Sequence, residues 1–179
     1  MNNIQIIVNN GAGTGSAVAV WKETKEYLQE NGISYNAYLT RYEKHAVKLA
    51  GQICGKIPEG PIYLLVVGGD GTINEVLNGI TDFDRVRLGV IPTGSGNDFA
   101  RNLGILRDTR EDLREITACI DQEQNGGKLQ RIDLGKVSWE GCEKPRIFGI
   151  SEGAGLDAIV CKKALHSKLN KILNRFHLG

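Results

Sequence analysis

The sequence predicts an α/β domain built on a mostly parallel sheet with helices on both faces, followed by the opening strands of a β-rich second domain. Three observations support this prediction. Apolar runs of strand length alternate with helical apolar patterns from residue 3 to residue 122, which is typical of a parallel sheet covered on both sides. Glycine-rich turns follow three of the predicted strands. After residue 125 the helical pattern stops and two strand-like segments follow.

The first strand and helix are marked by a change of period. Ile4–Val8 is a continuous apolar run that ends in Asn9-Asn10-Gly11, so it predicts a buried strand followed by a turn. Ser16 is a candidate N-cap for the helix that follows, and Gly32 marks its end. The predicted buried face of this helix contains Val20, Thr24, Tyr27 and Leu28.

The second strand and helix follow the same logic. Every second residue from Ile33 to Leu39 is apolar, as in a half-buried strand whose inner face holds Ile33, Tyr35, Ala37 and Leu39. The next helix is closed by Gly55 and Pro58. Its apolar positions are Ala46, Val47, Ala50 and Ile53.

Two further strands and helices complete the predicted domain. Ile62–Val67 and Leu88–Ile91 are apolar runs of strand length, and Pro92 ends the second of them. Thr109 with Asp112 three residues later resembles a capping box at the start of the last helix. The helix after Ile62–Val67 has its apolar positions at Val76, Leu77 and Ile80. The last helix, after Leu88–Ile91, has its predicted buried face at Leu113, Ile116 and Ile120.

Gln124-Asn125-Gly126-Gly127 breaks the alternation and predicts a domain boundary. The first domain is predicted at residues 1–125, and an incomplete second one at residues 128–179. Leu129–Val137 and Arg146–Ile150 are its two strand-like segments, joined by a polar turn.

The composition limits the classes of partner. Lysine and arginine number 22 against 21 for aspartate and glutamate, a net charge of +1, so no overall field would attract nucleic acid and none is expected as a partner. The chain has no secretory signal and no run of about eighteen apolar residues, so we expect a soluble, cytoplasmic protein. The cysteines and histidines lack zinc-site spacing, and the cysteines are expected to be reduced thiols.

Glycine makes up 23 of 179 residues, where about 7% is usual. Gly68, Gly69 and Gly71 lie between a buried strand and a helix, where backbone amides can approach phosphate closely. Asp70 among them would repel a polyphosphate unless a cation lies between the two or the carboxylate accepts a proton. The loop therefore predicts Mg²⁺, a general base, or both. A tight turn that requires positive φ is the alternative, and no Walker or G-x-G-x-x-G pattern occurs at this strand.

Two more loops have a related composition. Pro92–Asp98 follows the next predicted strand, and Asn9–Gly15 follows the first. In a parallel sheet all three loops leave from the carboxyl ends of strands, where open α/β folds bind ligands. Three such loops at one edge favour a binding site over a purely structural role.

The loop motifs also resemble a known family. Gly68–Val76 and Ile91–Arg101 closely resemble the bacterial diacylglycerol kinase and YegS-like lipid kinase family, which includes sphingosine and ceramide kinases, and the resemblance continues through Arg131–Gly135 and Gly153–Ala158. It implies an ATP-binding first domain like that of phosphofructokinase and NAD kinase, and a β-rich second domain that closes over it to form a lipid cleft. The first loop alone would also suit an NAD kinase, whereas the second favours lipid kinases.

The resemblance implies ATP and Mg²⁺ as cofactors, a lipid alcohol such as diacylglycerol as acceptor, and Asp70 as catalytic residue and metal ligand. Asn10 stands where the family usually has proline and Ser95 where it usually has threonine, although serine keeps the hydroxyl. The implied nucleotide-binding residues are Asn9, Thr40, Gly68, Gly69, Asp70, Gly71, Thr72, Ile73, Asn74, Glu75, Gly94, Ser95, Asn97 and Asp98.

Three functions stay open: transfer of the γ-phosphoryl group of ATP to a lipid hydroxyl, an NAD kinase-like activity, and nucleotide binding without catalysis. The third has weight because the family's second-domain D-G-E-like motif has no counterpart in the sequence, so we expect an incomplete enzyme. Residues 156–178 predict a helix with a basic and an apolar face. We expect its apolar face to pack on the second domain, with peripheral contact at the inner membrane face secondary, or else to cause self-association such as homodimer formation.

Overall fold

The computed structural model describes residues 3–9, 11, 16–105, 108–127 and 129–150. In this part of the chain strands and helices alternate as the sequence predicts, and two short strands follow the last helix. The elements are β1 (Ile4–Val8), α1 (Ser16–Glu30), β2 (Tyr35–Leu39), α2 (His45–Lys56), β3 (Ile62–Gly68), α3 (Asp70–Gly79), β4 (Val86–Pro92), α4 (Asp98–Asn102), α5 (Thr109–Gln124), β5 (Gly135–Val137) and β6 (Arg146–Phe148).

Strands β1 to β4 form one parallel sheet in the order β2-β1-β3-β4, which confirms the predicted fold class. β1 and β3 occupy its centre, and every residue of both strands is buried. Continuous apolar strands suit this position because both faces of a central parallel strand are covered. β3 and β4 are neighbours, with Gly68 opposite Pro92, so the two predicted glycine loops leave the sheet side by side.

The edge strand β2 departs from the predicted pattern. Ile33 is buried and Tyr35 is half-buried, but Ala37 and Leu39 are exposed. The prediction that these four residues share one buried face is therefore wrong for the last two. The reason is that β2 lies at the edge of the sheet. On the α1 side the apolar cluster extends along β2 only to Tyr35, and on the opposite face Tyr38 packs against the other cluster.

Helices cover both faces of the sheet, as predicted. On one face α2 and α3 pack against the strands, and on the other α1 and α5 do so. Each face therefore has its own apolar cluster, and the sheet contributes alternate side chains to the two clusters. The largest fully buried side chains include Ile7, Leu64, Ile53 and Ile73 on the α2 side and Ile6, Leu65, Leu28 and Leu113 on the α1 side.

Two predicted helix starts are shifted in the structure. Ser16 is the first residue of α1 and not its cap. α5 is capped by Asp108, whose side chain accepts hydrogen bonds from the backbone amides of Arg110 and Glu111, so the predicted capping box at Thr109 is wrong. An aspartate before the first helical residue can reach these otherwise unpaired amides directly, and it is among the preferred N-cap residues.

Beyond α5, the short strands β5 and β6 pair in antiparallel fashion, which confirms that a second sheet begins there. Both strands are shorter than the predicted segments, because residues 129–134 and 149–150 lie outside the strand pairing. We call residues 135–148 the hairpin. The boundary predicted at residues 125–128 stays a prediction, although α5 does end at Gln124.

None of the helices in the described ranges combines the length and the apolar character that a membrane crossing requires. The predicted helix at residues 156–178, the motif at Gly153–Ala158, and Cys161 lie outside the described residues. Cys54, Cys119 and Cys142 are free thiols.

Candidate functional site

The predicted site residues lie at the carboxyl edge of the sheet, after β1, β2, β3 and β4. Asn9 follows β1 and connects three of these positions. Its side-chain amide donates to Thr72 Oγ1 at 2.8 Å, and its Oδ1 accepts from Thr40 Oγ1 at 3.2 Å and from the amide of Gly11 at 3.1 Å. Asn9 therefore fixes the ends of β1 and β2 against the first turn of α3.

The two glycine loops touch each other through their backbones. A Cβ added to Gly69 would lie 3.0 Å from the Cα of Gly94, and one added to Gly94 would lie 2.9 Å from the Cα of Gly69. The amide of Thr93 also donates to the carbonyl of Gly68. Glycine at both positions is thus required by close approach, and the two loops form one continuous surface.

Asp70 joins the same two loops by its side chain. Its Oδ2 accepts from the amide of Asp98 and its Oδ1 from the amide of Phe99, both at 3.0 Å. Asp70 is half-buried. Each carboxylate oxygen has accepted one hydrogen bond and still has a lone pair for another donor or a cation. Asp70 is therefore a structural link and an available ligand at once.

The second loop holds its own shape through Asn97. This residue has a φ of 52°, and its side chain accepts from the amide of Gly94 and donates to the carbonyl of Gly94. Arg101 braces the far side of the loop by donating to the carbonyl of Gly96 and to Asp98 Oδ1. Ser95 is exposed between these fixed points.

Two carboxylates flank Gly96. A Cβ at this glycine would lie 3.2 Å from Asp70 Oδ2 and 3.7 Å from Asp98 Oδ2. Within the described residues, His, Cys, Asp and Glu form no group of three or more that could hold a metal ion. A Mg²⁺ ion is nevertheless commonly bound by one or two carboxylates together with the phosphates of its substrate. The residues present fit that mode of binding and not an all-protein metal cage.

Glu75 contacts the start of α2 through its side chain. Its two carboxylate oxygens accept from the amides of Lys44 and Ala46, at 2.9 and 3.1 Å, and so satisfy the start of α2. The Ile73 side chain lies in the core, and its amide donates to the carbonyl of Gly69. A nucleotide-binding role for these two residues stays a prediction.

The remaining predicted residues have mixed surroundings. Gly68 and Thr72 are buried against each other, whereas Gly71 is exposed and a Cβ on it would meet no other atom within 4 Å. Asn74 is half-buried on the α3 face near the hairpin. Of the four predicted glycines, Gly71 thus offers the most open backbone to a ligand.

Sequence reasoning missed a ring pair at the same edge. Tyr42 and His45 stack with ring centroids 4.3 Å apart, and Tyr42 is 59% exposed. His45 Nδ1 also accepts from the amide of Arg41. The three-residue spacing of Tyr42 and His45 after a predicted strand was the available signal, but nothing in it identifies a stack.

A family model of the diacylglycerol kinase catalytic domain matches residues 3–137. The chain is 30% identical over 175 residues to the "Putative lipid kinase YtlR" of Bacillus subtilis, an alignment that covers 96% of this chain and 54% of that protein. It is 41% identical over 99 residues to the diacylglycerol kinase of the same organism, covering 52% of this chain and 30% of that protein. The chain thus spans about half of the first relative and less of the second.

Solved structures agree with the sequence matches. A crystal structure of a diacylglycerol kinase from Bacillus anthracis superimposes with a TM-score of 0.54 at 28% identity, and the match covers 65% of this chain and 42% of that one. The shared part is of the size of the α/β domain that carries the three loops.

Proposed function

The chain belongs to the diacylglycerol kinase catalytic-domain family, and from this premise we propose that it binds Mg-ATP at the carboxyl edge of the sheet and supplies the γ-phosphoryl group to a lipid hydroxyl. The observation that carries the proposal is the Asp70 carboxylate, which joins the two glycine loops and still offers oxygen lone pairs at their surface. The family match favours this activity over the NAD kinase alternative.

Backbone amides are the proposed phosphate ligands. Gly71 lies in the first turn of α3, is exposed, and leaves open space where a side chain would be. Unpaired amides at the start of a helix attract anions, and glycine allows a phosphate to approach the backbone closely. Asn9, Thr40 and Ser95 would add side-chain donors around this position.

A divalent cation is the proposed partner of the carboxylates. Asp70 and Asp98 both have a carboxylate oxygen near Gly96, and both would repel a triphosphate. Mg²⁺ held by Asp70, with Asp98 as a second carboxylate, would remove this repulsion and neutralise charge that develops on the phosphates.

In the proposed reaction the bond between the γ-phosphorus and the bridging oxygen breaks, and ADP leaves with the electron pair. The lipid hydroxyl oxygen forms the new bond to phosphorus and releases its proton. Asp70 could accept that proton or hold the metal, because either role uses the lone pairs that the amides of Asp98 and Phe99 leave free. Catalysis by this part of the chain would then consist of positioning and charge stabilisation.

The lipid is proposed to be diacylglycerol or a related alcohol, since the chain's family and relatives are lipid kinases. Such a substrate lies in a bilayer, so we further propose peripheral contact with the cytoplasmic membrane face. Self-association, including a homodimer, stays a prediction that depends on residues outside the described ranges.

Gly71→Ala tests the nucleotide site. In the free protein the added methyl group meets no atom, and alanine is the better helix former, so stability should be unchanged or rise by about 0.5–1 kcal/mol. If phosphate binds against this backbone, the variant should lose Mg-ATP affinity on the order of tenfold, measured by calorimetric titration with and without Mg²⁺.

An equally placed control is Gly55→Ala, because Gly55 is also a helical glycine whose Cβ would meet no atom within 4 Å. Gly55→Ala should bind Mg-ATP like the wild type. A wild-type chain that is folded but shows no binding at millimolar Mg-ATP would refute the proposal. Transfer of labelled γ-phosphate to diacylglycerol in mixed micelles separates a kinase from a nucleotide-binding module without catalysis.

A further inference from the structure

Asn78 makes the two shortest side-chain hydrogen bonds between α3 and the hairpin, and Asn74 adds a longer one of 3.5 Å from its Nδ2 to the carbonyl of Ile147. The amide of Ile147 in β6 donates to Asn78 Oδ1 at 2.9 Å, and Asn78 Nδ2 donates back to the carbonyl of Ile147 at 2.8 Å. These backbone groups face away from β5, so Asn78 occupies the place that a neighbouring strand would take. The second hydrogen of Nδ2 is donated to the carbonyl of Asn74 one turn back in α3, also at 2.8 Å.

Only a side chain with both a donor and an acceptor can make this arrangement. Asn78 uses two donors and one acceptor, which is most of the capacity of its amide group. Aspartate would keep the acceptor for the Ile147 amide but would lose both donors, and alanine would lose all three bonds. The residue type is therefore specific to the contact.

A second contact attaches the hairpin region to the site. Gly149, directly after β6, packs on Phe99, since an added Cβ would lie 2.6 Å from Phe99 Cε2 and 3.2 Å from Leu77 Cδ1. The amide of the same Phe99 donates to Asp70. The hairpin region thus touches α3, which begins with Asp70, and it also touches α4, which Asp70 holds.

We propose that Asn78 is a positioning residue for phosphoryl transfer, because it fixes the second sheet against the helix that carries Asp70. The inference rests on the proposed function and adds a role to it. The hairpin is the beginning of the second sheet. The chain spans about half the length of a putative lipid kinase to which it is similar. The proposal takes the lipid hydroxyl to approach the γ-phosphate from the side of the second sheet, so that the Asn78 contact helps to set the distance between the two reactants.

The separation along α3 supports this role. Asn78 lies eight residues after Asp70 in one uninterrupted helix, or about 12 Å at the rise of an α-helix. A helix of this length is stiff, and within the described residues Asn78 hydrogen-bonds to Asn74 and Ile147 but to neither glycine loop. Its loss should therefore disturb the transfer step and not the binding of the nucleotide.

Asn78→Ala and Asn78→Asp test the inference, with Asn31→Ala as the matched control. Asn31 also donates from Nδ2 to the carbonyl four residues before it, Tyr27, at 2.8 Å, but it lies at the end of α1. In the 179-residue chain, NMR hydrogen exchange at the Ile147 amide should accelerate in Asn78→Ala and less in Asn78→Asp. The Kd for Mg-ATP should change by less than about twofold, since no nucleotide contact is removed.

In the lipid kinase assay Asn78→Ala should lower kcat on the order of tenfold to a hundredfold with KM for ATP unchanged, because the reactants are misplaced. Asn78→Asp should lie between Ala and wild type, and Asn31→Ala should match wild type. The inference would be overturned, and the proposed function left intact, if Asn78→Ala kept the wild-type kcat. The same would follow if its affinity for Mg-ATP fell by the same factor as its kcat. A wild type that binds no Mg-ATP would instead refute the proposed function, and this inference with it.

Discussion

Replacing Asp70 should reduce both stability and nucleotide affinity, whereas the same replacement at Asp108 should reduce stability alone. The two residues are matched in the folded chain. Asp70 accepts from two backbone amides at 3.0 Å, and Asp108 accepts from two at 2.9 and 3.0 Å. Asp108 is the N-cap residue of α5 and belongs to neither glycine loop in the sequence. Its variants therefore report what the loss of two amide partners costs by itself.

The size of the stability loss follows from these bonds. A capping carboxylate contributes about 0.5–2 kcal/mol to stability, so Asp70→Ala and Asp108→Ala should each lower the free energy of unfolding by about 1–2 kcal/mol. For a chain of this length each kcal/mol lowers Tm by roughly 2–4 °C. Asp70→Asn keeps one oxygen for one of the two amides and places an NH₂ group against the other, so its loss should be smaller but measurable.

Urea unfolding and calorimetric titration measure the two effects separately. Asp70→Ala should weaken Mg-ATP binding by about tenfold or more, which corresponds to about 1.4 kcal/mol. Its remaining affinity for ATP should depend less on Mg²⁺, because one of the two carboxylates that require a cation is gone. Asp108→Ala should bind Mg-ATP as the wild type does. The reasoning would be refuted by an Asp70→Ala variant that is folded and keeps both wild-type affinity and its dependence on Mg²⁺.

Two further variants test a close backbone contact and the pKa of a buried tyrosine. Gly94→Ala would place a methyl group 2.9 Å from the Cα of Gly69; we expect the two loops to separate, with a loss of stability of about 1–3 kcal/mol and of Mg-ATP binding, and a variant with unchanged melting and affinity would contradict the contact. Burial, with Glu123 alongside, raises the pKa of Tyr63 above its usual value of 10.0. Unfolding releases the Tyr63 proton once the pH exceeds about 10, so stability should fall from there as the pH rises through the folded-state pKa. In Tyr63→Phe this part of the alkaline decline should be absent in urea unfolding at pH 9–11.

The sheet was predictable because its central strands are buried on both faces. Continuous apolar runs of strand length, such as Ile62–Val67, are typical of strands that are buried on both faces. The helical patterns between these runs are long enough to connect parallel strands. The exposure of Ala37 and Leu39 was not predictable, because alternation indicates a half-buried strand but not how far the covering helix extends. Strand order has no local signal either, yet it decides which strand lies at the edge.

The site was predictable in place but less so in its contacts. Glycine, asparagine and aspartate after consecutive strands indicate a ligand edge, and the loops do meet there. The hydrogen bonds from Asp98 and Phe99 to Asp70 join residues 28 and 29 positions apart, and the Asn78 contact with Ile147 spans 69 positions. No periodicity or spacing rule connects residues at such separations, so these links emerge only from the folded chain.

Glu75 illustrates why a motif alone does not assign the role of a carboxylate. The family resemblance places Glu75 among the nucleotide-binding residues, and in the structure its two oxygens accept from amides at the start of α2. Asp70 also accepts two amides, but from the loop that follows the neighbouring strand, so its oxygens stay at the surface where the glycine backbones meet. The amide partners of the two residues therefore differ in place: Glu75 fixes the position of α2, while Asp70 links the two glycine loops. Loss of activity on replacing either residue could come from the lost amide hydrogen bonds or from a lost contact with the ligand. Asp108 has the same number of amide partners and no proposed ligand. A comparison with Asp108 variants therefore distinguishes the structural contribution from the chemical one.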